Sequence, residues 1–472
     1  MDSLDDETAL KEWARTMNVE VYDMDEIYSR GSHLPHIPPK GSDLAAISYT
    51  SGTTGIPKGA MITHENHSYI PATFQDYGIK VLQTDKHISY LPLAHCFERG
   101  IHVLVISQGG RIGFYSGDVL KLVEDIQILK PNLFASVPRL YNKIYDKIFA
   151  QTINAEGLKG ALFRRAFSAK QEKLEQGRLT HPIYDILFRK VAQVLGGEIR
   201  LLVTGSAPIS SQVLNLFRIC FSCDMLEGYG ATETCAFGTI TLPGDFSSGN
   251  VGLPPACVEL KLVDVPEMNY KATDKPFPRG EVCIRGPFIF KGYYKDKQQT
   301  SQALDEDNWY HTGDIGMWTG KLSLIDRKKN IFKLSQGEYI TPEKLENNIV
   351  TSKYIQQAFV YGDSLEDVLV AIIVPDFEVL QTKYNIQDPK EIVKNPKIRA
   401  LIAKELEQIS SKFNLMGFEM VRNFYLESEP FSAENSMLTP TFKLKRAEAK
   451  EKYKNIIKEM YDEYKGNRGS KL

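Results

Sequence analysis

Short apolar runs closed by glycine turns alternate with longer amphipathic stretches through most of the chain, the pattern of strands feeding helices. Residues 44–47, Leu-Ala-Ala-Ile, read as a buried strand, and a helix is expected from His64 with Thr63 as its N-cap. Residues 88–97 form a strand-like run that ends at His95. Helical periodicity covers 159–195, a buried strand at 199–203 enters Thr204-Gly205-Ser206, and 224–226 opens a second strand-to-loop unit. From 251 to 329 glycine turns separate short β-runs such as 281–285, which predicts a small β subdomain. Thr341 as N-cap and Pro342 at the first helical position start a helix with Leu345 and Ile349 turned inward. Strands at 358–361 and 368–374 follow, then an amphipathic helix with Ile398, Leu401, Ile402, Leu406 and Ile409 on one face. The pattern predicts a large α/β domain over 1–325, a small α+β domain over 326–465, and a flexible tail over 466–472. Residues 1–43 read as an acidic surface helix and an extended Pro/Gly-rich connector.

A length of 472 residues with 42% hydrophobic content allows more than one core. Formal net charge is −2, so no broad positive field is available to hold nucleic acid, and any anionic ligand must be held locally. No apolar run reaches the roughly 18 residues needed to span a bilayer, so the chain is expected to be soluble or peripheral to a membrane. The mixed charge of 159–195 admits either a solvated helix face or a membrane-surface face. Six cysteines lie in apolar or strand-like surroundings and read as reduced core residues. Cys220 and Cys223 make a C-x-x-C that is either a pair of buried thiols or a redox or metal half-site.

The candidate chemistry centres on residues 49–59, YTSGTTGIPKG. Glycines that let backbone N–H groups approach a polyphosphate, hydroxyls at Thr50, Ser51, Thr53 and Thr54, and the point charge of Lys58 make a phosphate loop. The competing account is a flexible turn. It is not a Walker A loop, because Gly59 follows the lysine where Ser or Thr is required. The upstream strand and downstream helix predict a strand–loop–helix site. In 227–234, EGYGATET, Gly228 and Gly230 permit a tight turn beside a ligand, Tyr229 offers a flat face for a base, and Glu233 offers a hard oxygen suited to Mg²⁺. Asp314 follows a glycine and has the chemistry to accept two sugar hydroxyls. A lysine in the basic stretch 439–446 either lies solvated or is presented to an anion across a domain gap.

Taken in order, YTSGTTGIPKG, YLPLAHCFERG (90–100), SVPRLYNKIYDKI (136–148), TGSAP (204–208), EGYGATET, GEVCIRG (280–286), WYHTGDIG (309–316), IDRKKNIFKLSQGEYITPEKLEN (325–347) and LTPTFKLKR (438–446) resemble the adenylate-forming superfamily. Within it they are most similar to the eukaryotic long-chain acyl-CoA synthetases. The resemblance implies a large N-terminal α/β domain and a small C-terminal α+β domain joined by a hinge at Asp326. It implies that a fatty acid and MgATP give an acyl-adenylate and pyrophosphate, and that coenzyme A then displaces AMP. It assigns Thr50, Ser51, Gly52, Thr53, Thr54, Gly55 and Lys58 to the phosphate loop, and Gly205, Ser206, Tyr229, Gly230, Ala231 and Thr232 to the nucleotide. Glu233 with Thr54 is assigned to Mg²⁺, Asp314 and Arg327 to the ribose, Lys443 to the reacting carboxylate and bridging oxygen, and His95 to the acyl carboxylate.

Two departures accompany the resemblance. Only about forty residues precede the phosphate loop where the family has a substantial further piece, so the chain is expected to be a fragment or a short form. The turn at 317–321 is also shorter than usual. The alternative readings are a ligase for a different acid, such as an aryl acid, and a catalytically impaired paralogue that binds nucleotide or acyl-CoA. Ser470-Lys471-Leu472 matches the address read by the peroxisomal import receptor, or the glycosomal one in a kinetoplastid.

Overall fold

The computed structural model describes residues 7–31, 35–50, 57–336, 338–439 and 442–469, and the chain divides into two compact units at Lys40/Gly41. In the first unit the helix Glu7–Thr16 is followed by Met24–Arg30. Asp23 caps the second helix, and Glu26 completes the capping box while pairing with Lys11 at 2.9 Å.

The second unit opens with an antiparallel hairpin, β1 (Leu44–Thr50) and β2 (Lys58–Thr63). This differs from the strand–loop–helix expected from sequence. The segment expected to be a phosphate loop lies in sequence between two antiparallel strands, and the helix His64–Asp76 starts only after β2. Nor is β1 buried throughout, since Leu44 at its start is 46% exposed. The predicted cap is present: Thr63 Oγ1 accepts from Asn66 N, and the Asn66 side chain accepts from Thr63 N.

The unit also contains a six-stranded sheet in the order β4-β3-β5-β6-β7-β8. It comprises β3 (Lys86–Ser89), β4 (Arg111–Phe114), β5 (Leu133–Ser136), β6 (Leu201–Thr204), β7 (Asp224–Tyr229) and β8 (Thr239–Ile240). All its pairings are parallel except β7 with β8. Every residue of β5 and β6 is buried because helices cover both faces. Phe134, Leu202 and Met225 pack into one core, while Leu133, Ala135, Leu201, Val203 and Leu226 pack into the other, as the two-residue period of a strand requires. The run predicted to be a strand up to His95 stops at Ser89. His95 instead caps the helix Cys96–Ser107, its Nδ1 accepting from Phe97 N at 3.2 Å.

The predicted β subdomain is a four-stranded antiparallel sheet of β9 (Glu259–Val263), β10 (Arg279–Arg285), β11 (Tyr310–Trp318) and β12 (Leu322–Arg327). A two-stranded piece, β13 (Phe332–Lys333) with β14 (Tyr339–Ile340), leads to the helix Pro342–Ile349, in which Leu345 and Ile349 are buried. Thr341 makes no side-chain cap there; the Glu343 N–H is taken instead by Asp326 Oδ2 at 3.2 Å. A last sheet, β15 (Ile355–Tyr361), β16 (Leu369–Pro375) and β17 (Val421–Leu426), is covered by the helix Pro396–Lys412 through Ile398, Ile402 and Leu406. All six cysteines are free, and Cys220 and Cys223 are both buried, which favours the pair of buried thiols.

Candidate functional site

The C-terminal ends of parallel strands are where an open α/β sheet leaves a crevice. Here β6 runs out into Gly205 and Ser206, β7 into Gly230–Thr232, and both segments line one cavity of about 890 Å³. Thr50 and Lys58 enter from the hairpin, His95 from the start of its helix, Asp314 from β11, Arg327 from the end of β12, and Lys443 from the C-terminal part of the chain. Residues nearly 400 positions apart in sequence thus face one volume. Ser51, Gly52, Thr53, Thr54 and Gly55, together with Ser470, Lys471 and Leu472, lie outside the described residues.

Close backbone approach at the β7 turn needs Gly230, where a Cβ would stand 2.3 Å from the carbonyl carbon of Ala236. Tyr229 does not line the cavity. It stands behind it, 8% exposed, its hydroxyl donating to Asp314 Oδ2 at 2.7 Å. At this turn Gly228, Gly230 and Phe237 line the cavity.

Asp314 is also set by Arg327, its cross-strand neighbour, whose Nε lies 3.3 Å from Oδ1. That carboxylate pushes the Arg327 guanidinium pKa further above its ordinary value. Glu233 is buried, one oxygen accepting from the Tyr293 hydroxyl at 2.7 Å, and among the described residues its second oxygen has no hydrogen-bond partner. A hard, half-satisfied oxygen at a cavity wall fits a divalent cation such as Mg²⁺.

His95 is pushed down to about 4, first by burial and then by the charge of Lys443. It is therefore neutral at physiological pH, and because Nδ1 accepts from Phe97 N, the ring proton sits on Nε2 as a donor. Lys443 lies in a loop closed by its own N–H to Thr439 Oγ1 at 3.0 Å and by Thr439 N to its carbonyl at 2.8 Å. Burial, then Arg327, lowers its pKa from the ordinary lysine value. The helix that His95 caps is held underneath by Glu98, fully buried, whose Oε1 bridges His87 Nε2 at 3.1 Å and His102 Nε2 at 3.3 Å.

The cavity has two characters. Around Lys58, Glu233, Asp314, Arg327 and Lys443 it is charged. Phe74, Phe97, Ile101, Val203 and Phe237 give it an apolar wall. It can hold a polyanion at one side and an apolar body at the other. Sequence reasoning missed Tyr293 and Gln299, which contact Glu233 and Lys58, and the apolar wall residues. Gly292-Tyr293-Tyr294-Lys295-Asp296 carries turn residues and gives no local sign of a ligand contact.

Residues 2–294 match the family model described as AMP-binding enzyme, and 329–465 match AMP-binding enzyme C-terminal domain. The chain is 45% identical over 456 residues to long chain acyl-CoA synthetase 6, peroxisomal, of Arabidopsis thaliana, a span of 94% of this chain and 65% of that one. It is 45% identical over 462 residues to fatty acyl-CoA synthetase A of Dictyostelium discoideum, covering 95% of this chain and 69% of the relative. Among solved structures it resembles the A domain of carboxylic acid reductase from Segniliparus rugosus in complex with AMP and a co-purified carboxylic acid. The TM-score is 0.78 at 28% identity, over 98% of this chain and 70% of that one. The first of these relatives is thus spanned for just under two thirds of its length.

Proposed function

Because this chain belongs to the AMP-binding enzymes and, within them, to the long-chain acyl-CoA synthetases, we propose that it activates long-chain fatty acids to acyl-CoA through an acyl-adenylate. The observation that carries the reading is the meeting of Lys443 from one end of the chain with His95, Glu233, Asp314 and Arg327 from the other in a cavity that also has an apolar wall.

Attack by a carboxylate on an α-phosphate brings like charges together, so cations must neutralise them in a site that excludes water. Lys58 is assigned to the polyphosphate and Lys443 to the reacting carboxylate and bridging oxygen. The Nε2–H of His95 donates to the acyl carboxylate. Asp314 accepts from the ribose hydroxyls, its carboxylate held by Tyr229 and Arg327. Gly205, Ser206, Gly230, Ala231 and Thr232 line the nucleotide. Glu233 and Thr54 are the residues that would hold Mg²⁺, which when bound neutralises phosphate oxygens. In the second step coenzyme A attacks the acyl-adenylate, and the small domain swings about Asp326 to withdraw Lys443.

The Arabidopsis relative is named peroxisomal, and residues 470–472 read Ser-Lys-Leu, so a peroxisomal location through the import receptor is part of the proposal. The test is fatty-acid-dependent exchange of labelled pyrophosphate into ATP by the purified, folded chain. Exchange with palmitate, and none with an aryl acid, is expected. A folded chain that binds ATP yet shows no exchange would replace the reading with that of a nucleotide-binding paralogue.

A further inference from the structure

Between β10 and β11 the chain forms a strap, residues 290–303, to which no role has yet been given. Its backbone is tied to both strands of chemistry at once. Phe290 N donates to the carbonyl of Glu233 at 2.9 Å, while Lys291 N, Met61 N and Tyr294 N complete bonds of 2.9, 3.0 and 2.7 Å between the strap and β2, which begins at Lys58. Asp296 then caps the short helix Lys297–Ala303 through Gln299 N at 2.9 Å, and Thr300 Oγ1 accepts from Tyr293 N at 2.9 Å, which locks the helix to the strap.

Two side chains from this frame reach the charged groups. The Tyr293 hydroxyl donates to Glu233 Oε1 at 2.7 Å, and its ring lies under the Lys58 ammonium, 5.2 Å from the centroid. Gln299 Oε1 accepts from Lys58 Nζ. Phe290 and Tyr310 brace the same region, Phe290 against Tyr293 at 4.9 Å and against Tyr310 at 5.8 Å, each edge to face. Tyr293 is 7% exposed, and burial together with the Glu233 carboxylate raises its phenol pKa, so the hydroxyl remains a donor.

We propose that Tyr293 and Gln299 are positioning residues that set Glu233 and Lys58 in register for a metal-bound nucleotide. Tyr293 holds one Glu233 oxygen and leaves the other for the cation. Gln299 and the Tyr293 ring fix the ammonium on the same frame. The inference rests on the roles given to Glu233 and Lys58 under the proposed function. A merely structural Tyr293 would change thermal stability and leave metal affinity alone.

The experiment uses the full chain with Mn²⁺ as a paramagnetic probe in the presence of ATP, alongside ATP binding in EDTA and pyrophosphate exchange. Tyr293→Phe, which keeps the ring and removes the donor, is expected to raise half-saturating Mn²⁺ about tenfold, the scale of one hydrogen bond to a charged group, with metal-free ATP binding unchanged. In a Glu233→Gln background the same substitution should add nothing. Gln299→Leu is expected to weaken metal-free ATP binding severalfold without moving Mn²⁺ affinity, and it carries the test should Tyr293→Phe fail to fold. Wild-type metal affinity in Tyr293→Phe, or unaltered ATP binding in Gln299→Leu, would overturn the inference. A wild-type chain without exchange activity but with these shifts would retire the proposed catalysis and leave the strap's role standing. A wild-type chain that binds no Mn²⁺ with ATP would end both.

Discussion

On the proposed function, Lys443 has to be a cation in a place where cations are disfavoured. Burial and Arg327 lower its pKa, while the nearby carboxylates Glu343 and Asp314 oppose that shift. Lys443→Ala should therefore reduce the adenylation rate by a factor on the order of 10² to 10³, the scale of losing one preorganised donor. It should spare thioester formation when acyl-adenylate is supplied, because that step needs the lysine withdrawn. Single-turnover assays of each half-reaction separate the two, and equal loss in both would remove the alternation from the scheme. Among single residues the sequence was legible wherever chemistry is local: Glu233, Asp314, Arg327 and Lys443 face the cavity as their motifs implied. For Tyr229 nothing in the sequence signalled its hydroxyl's partner, because Asp314 lies 85 residues away. Tyr293 was not legible because its partner, Glu233, lies 60 residues away in sequence.

At the level of elements, periodicity located most strands and helices but not their pairing. The segment 58–63 has glycine at its second position and reads as the exit of a loop; its strand character comes from β1 and from the strap, neither of which is visible locally. The stretch 159–195 is the reverse case, where sequence left two accounts open. Its helices, Gly157–Glu175 and Asp185–Ala192, meet through Phe163 and Phe188 at 5.7 Å and through Lys170 and Asp185 at 2.5 Å. Their outer faces leave Leu158 and Ile186 at 92% and 70% exposure beside exposed Lys159, Arg165, Arg189 and Lys190. Exposed apolar side chains among basic ones are what the membrane-surface account requires, although Glu156, Glu172 and Glu175 are exposed there too. Sedimentation with vesicles containing phosphatidylserine should exceed that with neutral vesicles, and Leu158→Ser with Ile186→Ser should lower binding about tenfold with pyrophosphate exchange retained. Equal binding to both vesicle types would restore the solvated-face account.

Across the whole molecule, burial of carboxylates sets how stability varies with pH. Burial raises Glu227, in the central sheet, to about 8 and Glu346 to about 7, against the lowering effects of nearby arginines and backbone N–H groups. An unfolded glutamate titrates near 4.3, so over that interval the folded chain holds protons that the unfolded chain releases. The contribution is complete below about 4.3 and is lost as pH rises through the folded values. Thermal melts should accordingly show lower Tm at pH 8 than at pH 5.5, and Glu227→Gln should flatten the decline; an unchanged slope would contradict it. The α/β character of the large domain was legible because alternate residues of its buried strands serve separate cores on the two faces of the sheet. How the C-terminal part meets the rest of the unit was not, since contacts such as Arg139 over the half-buried Phe442 at 5.0 Å and Lys328 with Glu267 at 2.7 Å join residues far apart in sequence with no shared pattern.

The ribbon of β1 and β2 is fastened to the rest of the molecule along β2 by the strap, while β1 pairs with β2 alone among the described residues. On the proposed function, a ribbon held along one edge would let the stiffness of β1 bear on how long pyrophosphate dwells after adenylation, and so on how readily the first step runs backwards.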